Sequence, residues 1–208
     1  MTIEKKRLFC NPVETTKRLL ESEFAVFDTT SLRAIIPVES DRTFFSIVKK
    51  LVESGILLRL EKNKYLVKRG DNNSFDTAAR LYIPSYISFE TALNFHGVLS
   101  QFPYEITSAT SRKTAVKKWD GVLYSYTHIK PDLFFGYIRK GGALIAEPEK
   151  ALLDQMYLAA KGFKKLALDE YDLSCLKKTK LKNYGLKFPE TRQTRKMPAL
   201  LERVLELC

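Results

Sequence analysis

At Gly55 the hydrophobic repeat of this chain changes, and the change restricts what its N-terminal third can become. Upstream, apolar side chains recur at the spacing of helices packed by one face. Downstream, two short apolar runs, Ile56–Leu60 and Tyr65–Val67, flank the polar stretch Glu61-Lys62-Asn63-Lys64. Two such runs around a turn of about four residues predict a β-hairpin.

The helical part divides into three. Asn11 before Pro12 predicts an N-cap with proline in the first turn, and Val13, Thr16, Leu19, Leu20 and Phe24 continue the repeat. After the apolar run Phe24–Phe27, Asp28 or Thr29 caps a short second helix that carries Thr30, Ser31, Leu32, Ile35 and Ile36. Pro37 ends it. Ser40 or Asp41 caps a third helix reaching Ser54, with Phe44, Ile47, Val48, Leu51 and Val52 inward and Gly55 at its end. Three short helices, a tight turn between the second and third, and a hairpin behind follow the order of a winged helix-turn-helix. The predicted domain covers residues 1–70, and the polar, turn-rich Arg69-Gly70-Asp71-Asn72-Asn73-Ser74 marks its boundary.

Residues 75–208 read as a second, mixed α/β domain, so the fold class is α+β. Ser85–His96 is predicted helical with a cap at Ser88, and strands are expected at Tyr104–Thr110, Val122–Ile129, Leu133–Arg139 and Ala143–Ala146. Gly141-Gly142 makes a tight turn between the last two. Pro148 opens a helix over Glu149–Ala160 with Ala151, Leu152, Met156 and Tyr157 on one face, and a final helix runs from Pro198 to Leu207.

Charge narrows the function. The 208 residues hold 35 Lys and Arg against 24 Asp and Glu, a net of +11. Such an excess favours polyanionic partners: nucleic acid, an acidic protein or an anionic membrane. It has two centres. Residues 1–70 carry 14 basic and 9 acidic side chains, and residues 161–196 carry 11 and 4. No apolar run reaches the roughly 20 residues of a membrane span. MTIEKKRLF carries no apolar signal core, and Cys10, Cys175 and Cys208 are widely spaced and odd in number. A cytoplasmic, reducing compartment is expected, with no membrane partner.

On the third helix, Arg42, Thr43, Ser46, Lys49 and Lys50 face away from the apolar stripe. Arginine can fork onto guanine, short hydroxyls fit beside base edges or phosphates, and lysine takes phosphates. A lysine-bearing solvated face is common on any amphipathic helix; the order of elements and the basic hairpin (Arg59, Lys62, Asn63, Lys64) favour double-stranded DNA as the partner, with Thr30 and Ser31 of the second helix among the expected contacts. Catalytic signals are weak, and no phosphate-loop, dinucleotide or zincin motif is present. His96 reads as a packed or capping residue and His128 ends a strand, so neither metal nor cofactor is expected. Glu147, Glu149 and Asp154 gather around a helix start, where acids complement the dipole; a nuclease could use them, but the protein is read as a non-enzyme. A possible second basic surface comprises Arg112, Lys113, Lys117 and Lys118 in a loop between strands, with Lys177, Lys178, Lys180 and Lys182 beyond.

Several blocks carry a family resemblance. Ile83-Pro84-Ser85-Tyr86-Ile87-Ser88-Phe89-Glu90-Thr91-Ala92-Leu93 with His96-Gly97 is similar to the opening of the C-terminal domain of AbiEi-family antitoxins. Ile106-Thr107-Ser108 with Arg112, then His128-Ile129-Lys130, Leu133-Phe134-Phe135-Gly136-Tyr137 and, most specifically, Ala146-Glu147-Pro148-Glu149-Lys150-Ala151-Leu152-Leu153-Asp154 also fit. The resemblance spans roughly residues 8–160. It implies the antitoxin and transcriptional repressor of a type IV toxin–antitoxin pair linked to phage abortive infection. In such a pair the N-terminal winged helix binds inverted repeats in its own promoter. The C-terminal domain adds to DNA binding and is required against a nucleotidyltransferase-like toxin, acting functionally rather than through a stable complex. A solitary winged-helix regulator without a toxin is the alternative expectation.

Overall fold

The structure is a computed structural model, and it describes residues 12–24, 26–68 and 74–208. It is an α+β protein of two units, residues 1–81 and 82–208. Among the described residues no helix is long and apolar enough to cross a membrane, and Cys175 and Cys208 are free thiols. The expected cap at Asn11, Cys10 and the linker residues 69–73 lie outside the described residues.

The first unit holds α1 (Pro12–Glu21), β1 (Val26–Asp28), α2 (Thr29–Ile35), α3 (Asp41–Glu53), β2 (Leu57–Glu61), β3 (Lys64–Val67) and α4 (Ser74–Leu81). Its core is built from Leu19, Phe27, Leu32, Ile36, Phe44, Val48, Leu51, Leu57, Tyr65 and Val67. Two caps set the helix starts. Asp28 and Ser31 form a reciprocal capping box on α2, and the Ser40 hydroxyl accepts from the Thr43 N–H on α3. Gly55 at φ +72 ends α3 in the left-handed region that glycine enters without cost.

Four readings change here. The apolar run before Asp28 contributes β1, which pairs antiparallel with β3 and makes the hairpin a three-stranded sheet, β1-β3-β2. The hairpin turn is tighter than four residues: Lys62 and Asn63 close it, with Asn63 at φ 63, and a register shift between Arg59 and Glu61 absorbs the rest. On α1 the buried positions are Thr15 and Leu19, while Val13 and Leu20 are exposed, because a ten-residue amphipathic helix leaves the rotation of its face to its neighbours. The unit continues through α4, which starts at Ser74 and lies with the first unit rather than opening the second. There Arg80 covers the Phe24 ring at 4.4 Å and the Lys64 ammonium donates to the Leu81 carbonyl at 2.6 Å.

The second unit is a six-stranded sheet ordered β6-β7-β5-β4-β9-β8, with helices α5 (Phe89–Phe95), α6 (Pro148–Ala160), α7 (Lys178–Gly185) and α8 (Met197–Leu207). The strands are β4 (Ser85–Ile87), β5 (Glu105–Thr110), β6 (Ala115–Trp119), β7 (Val122–His128), β8 (Tyr137–Lys140) and β9 (Ala143–Ala146). Neighbours β5–β7 and β4–β9 run parallel, and the other pairs antiparallel. Ser85–Ile87 is a strand and not the start of a helix. Buried on both faces between β5 and β9, it shows no alternation by which a strand could be read. Lys117 and Lys118 lie on edge strand β6 rather than in a loop. The run Leu133–Arg139 is split by a 3₁₀ turn, Pro131–Leu133, and by Gly136 at φ +70.

Candidate nucleic-acid interface

Helix α3 separates its side chains cleanly. Phe44, Val48 and Leu51 are buried, whereas Arg42, Thr43, Ser46, Lys49 and Lys50 are exposed. Thr30, Arg59, Lys62 and Asn63 are exposed as well. Helix α2 is tied to α3 by Arg33, whose guanidinium donates to Asp41 at 2.6 Å and covers the Phe44 ring at 4.2 Å. Arg33 was not among the expected site residues, since its role needs a partner eight positions away on another helix. Phe45 was missed too: 49% exposed, it stands edge-on to Phe44 at 5.2 Å on the solvent side of α3. An exposed phenylalanine beside Arg42 and Ser46 offers apolar contact for a thymine methyl or a sugar.

Three expected contact residues carry local duties. The Ser31 hydroxyl donates to Asp28 Oδ1 at 2.7 Å and accepts the Asp28 N–H at 3.0 Å, so it builds the cap of α2. These bonds, the hydroxyl's first and the Ser31 N–H's next, hold the Asp28 carboxyl below the usual carboxylate range. Lys64 is engaged within its own unit, by Leu81 O and by Glu61 at 3.8 Å. Lys49 lies 3.6 Å from Glu53, an exposed pair of little strength.

In the second unit the carboxylates of the 147–154 block turn inward: Glu147 and Glu149 share Lys180, at 2.6 and 4.0 Å, while Asp154 has its own partner in Lys150. Asp154 and Lys150 are fully buried and paired with each other on successive turns of α6. Tyr86 and Ser88 each donate to Asp154 Oδ2 at 2.8 Å, and Lys150 also donates to the Tyr86 oxygen at 2.8 Å. The rings of Phe135, Phe188 and Tyr86 surround the ammonium at 5.0–5.3 Å. Burial lowers the Lys150 pKa against the opposing pull of Asp154, and burial, with Asp154 behind it, drives the Tyr86 phenol well up. Gly136 is required beside this cluster: a Cβ there would lie 3.0 Å from Tyr184 and 3.1 Å from Lys150.

Glu147 accepts from Lys180 Nζ and from the Tyr184 hydroxyl, both at 2.6 Å. Burial alone would raise its pKa; these two hydrogen bonds outweigh it, and the carboxyl lies below its ordinary value. Burial first, then the bond to Glu147, pushes the Tyr184 phenol up to about 12. Buried Glu149 accepts the Lys177 N–H at 3.0 Å. Among the described residues no group of three His, Cys, Asp or Glu is placed to hold a metal ion. His96 donates from Nε2 to the Ala146 carbonyl at 2.8 Å, a packing role.

The possible second basic surface is divided between the neighbourhood of Tyr82, where Arg112 and Lys117 lie 4.4 and 6.0 Å from the same ring, and α7. Arg112 and Lys113 lie in the loop before β6, Lys117 and Lys118 on β6, and the others at α7, where Lys177, Lys178 and Lys182 are exposed while Lys180 is held by Glu147. Neither a protein-family model nor a curated protein matches the chain.

Proposed function

We propose that the first unit is a winged helix-turn-helix and that the protein is a DNA-binding repressor, not an enzyme. The observation that carries this reading is the exposed face of α3. Arg42, Phe45, Ser46 and Lys50 stand opposite a buried stripe, on a helix capped by Ser40 and tied to α2 through Arg33 and Asp41. Helix α3 would enter the major groove with Arg42 at a base edge, while Thr30 and the hairpin residues Arg59, Lys62 and Asn63 meet backbone phosphates.

The resemblance of the second unit to AbiEi-family antitoxins extends the proposal. The protein acts in the cytoplasm on inverted repeats in its own promoter, and it counters a nucleotidyltransferase-like toxin of a type IV pair without a stable complex. Binding of the full chain to promoter DNA containing an inverted repeat, against scrambled DNA across a salt series, tests the first part. Equal affinity for both sequences at every salt concentration would overturn it. Co-expression with the toxin encoded beside it tests the second. Rescue of growth supports the antitoxin, and DNA binding without rescue leaves a solitary regulator.

A further inference from the structure

In the second unit, a cavity of about 670 Å³ opens between Tyr82, the loop Ser111–Thr114 and His128. It sits outside the carboxyl ends of the parallel pair β5 and β7, where Thr110 and His128 lie side by side in register. Crevices at the carboxyl ends of parallel strands are preferred places for ligands.

The wall is built rather than loose. The Tyr82 hydroxyl donates to the Lys113 carbonyl at 2.9 Å, and the Arg112 guanidinium covers the Tyr82 ring at 4.4 Å while donating to Ile83 O at 3.1 Å. His128 donates from Nδ1 to the Arg112 carbonyl at 2.8 Å, because a carbonyl can only accept, and its N–H is received by the Thr114 hydroxyl at 3.1 Å. That leaves the Lys113 ammonium and the remaining guanidinium N–H groups of Arg112 without a protein acceptor, and the His128 Nε2 without a protein partner, among the described residues. The sequence has no carboxylate from Ile106 to Trp119 or from Gly121 to Pro131. Three basic groups and the hydroxyls of Ser111 and Thr114 therefore line one cavity with no acid to balance them.

We propose that this cavity binds a phosphomonoester dianion, the terminal phosphate of a nucleotide. Arg112 supplies the planar fork that matches phosphate oxygens, Lys113 a point charge, and the two hydroxyls orient the group. Two permanent cations and an imidazole exceed what a singly charged phosphodiester needs, which favours a terminal phosphate over a strand interior. The volume admits a nucleoside behind the phosphate.

Calorimetric titration of the full chain with inorganic phosphate, AMP, adenosine and the phosphodiester TpT tests this. Saturable binding of AMP or phosphate is expected, with adenosine and TpT at least tenfold weaker. AMP tighter than phosphate assigns a nucleotide, and equal binding assigns the free anion. Arg112→Gln should weaken binding by more than tenfold. Lys113→Gln, whose side chain makes no hydrogen bond or ion pair among the described residues, should weaken it by several-fold with an unchanged melting curve, and Lys118→Gln should leave it as it was. No saturable binding of either phosphate, TpT binding as tightly as AMP, or indifference to both Arg112→Gln and Lys113→Gln would overturn the proposal. Because these residues lie in the second unit and α3 in the first, that failure would leave the DNA reading standing.

Discussion

Helices α3 and α6 are both 13 residues long, and they treat charge in opposite ways. On α3 every cation faces water and the interior is hydrocarbon alone. On α6, Glu149, Lys150, Asp154 and Gln155 are buried among Leu152, Leu153, Met156 and Tyr157. The outward charges of α3 are cheap to place and available to a partner. The inward pair of α6 is desolvated, and it survives because Tyr86 and Ser88 satisfy the second oxygen of Asp154 and three rings enclose the ammonium. One helix is shaped for recognition, and the other holds a fold together. The acidic block at the start of α6 thus turns most of its charge into the interior.

The sharpest way to break this contrast is Asp154→Asn. It leaves a buried ammonium without its counter-ion and should cost about 3–5 kcal/mol in denaturant unfolding, followed by Trp119, the only tryptophan and a residue of the second unit. The double variant Lys150→Met with Asp154→Leu should regain most of that loss. A cost below about 1 kcal/mol for Asp154→Asn would mean that the pair is hydrated and the contrast false.

Arg42→Ala comes next. It should remove about 1–3 kcal/mol of discrimination between promoter and scrambled DNA while the melting curve stays put, since Arg42 is exposed.

A smaller effect belongs to the α2 cap. Asp28→Ala should cost about 1 kcal/mol. The Asp28 carboxyl lies below its ordinary range in the folded chain, so its contribution is complete above the unfolded value near pH 4. It fades as pH falls through the lower folded value. Acid unfolding curves of the parent and Asp28→Ala should therefore converge in strong acid.

The smallest concerns two lysines. Lys49→Ala should weaken binding to all sequences alike, lower the salt slope of log K by about one, and change stability by less than about 0.5 kcal/mol. Lys64→Ala should do the reverse, lowering stability and leaving the salt slope alone, because its ammonium is bonded to Leu81 O.

Legibility tracked the kind of signal each residue carries. Ser40, Gly55 and Pro148 act through their own backbone or the next turn, and each marks a helix end where it was expected. The solvent face of α3 follows from helical spacing in the same local way. Arg33 with Asp41, Tyr82 with Lys113, and Tyr86 with Asp154 are contacts over 8 to 68 positions, and no local pattern announces them. Strands β1 and β4 carry no alternation that sets them apart from a loop or a helix start, and each exists by pairing with a neighbour distant in sequence; β6 pairs with β7 across the two-residue turn Asp120-Gly121, both at positive φ, and that Asp-Gly turn is the local signal that marks it.

The sequence by itself determined the succession of elements that carry local signals, the excess of positive charge, and which side of α3 meets water. Those follow from caps, periodicity and composition, each acting within a few residues. The tertiary structure decided which charges are available. It sent Lys64, Ser31, Lys180, Lys150 and Asp154 to partners within the protein and left Arg42, Lys50, Arg112 and Lys113 facing outward. Spacing cannot make that choice, because a charged side chain keeps its hydration unless the fold brings it an opposite charge or a hydrogen-bond partner to replace the water.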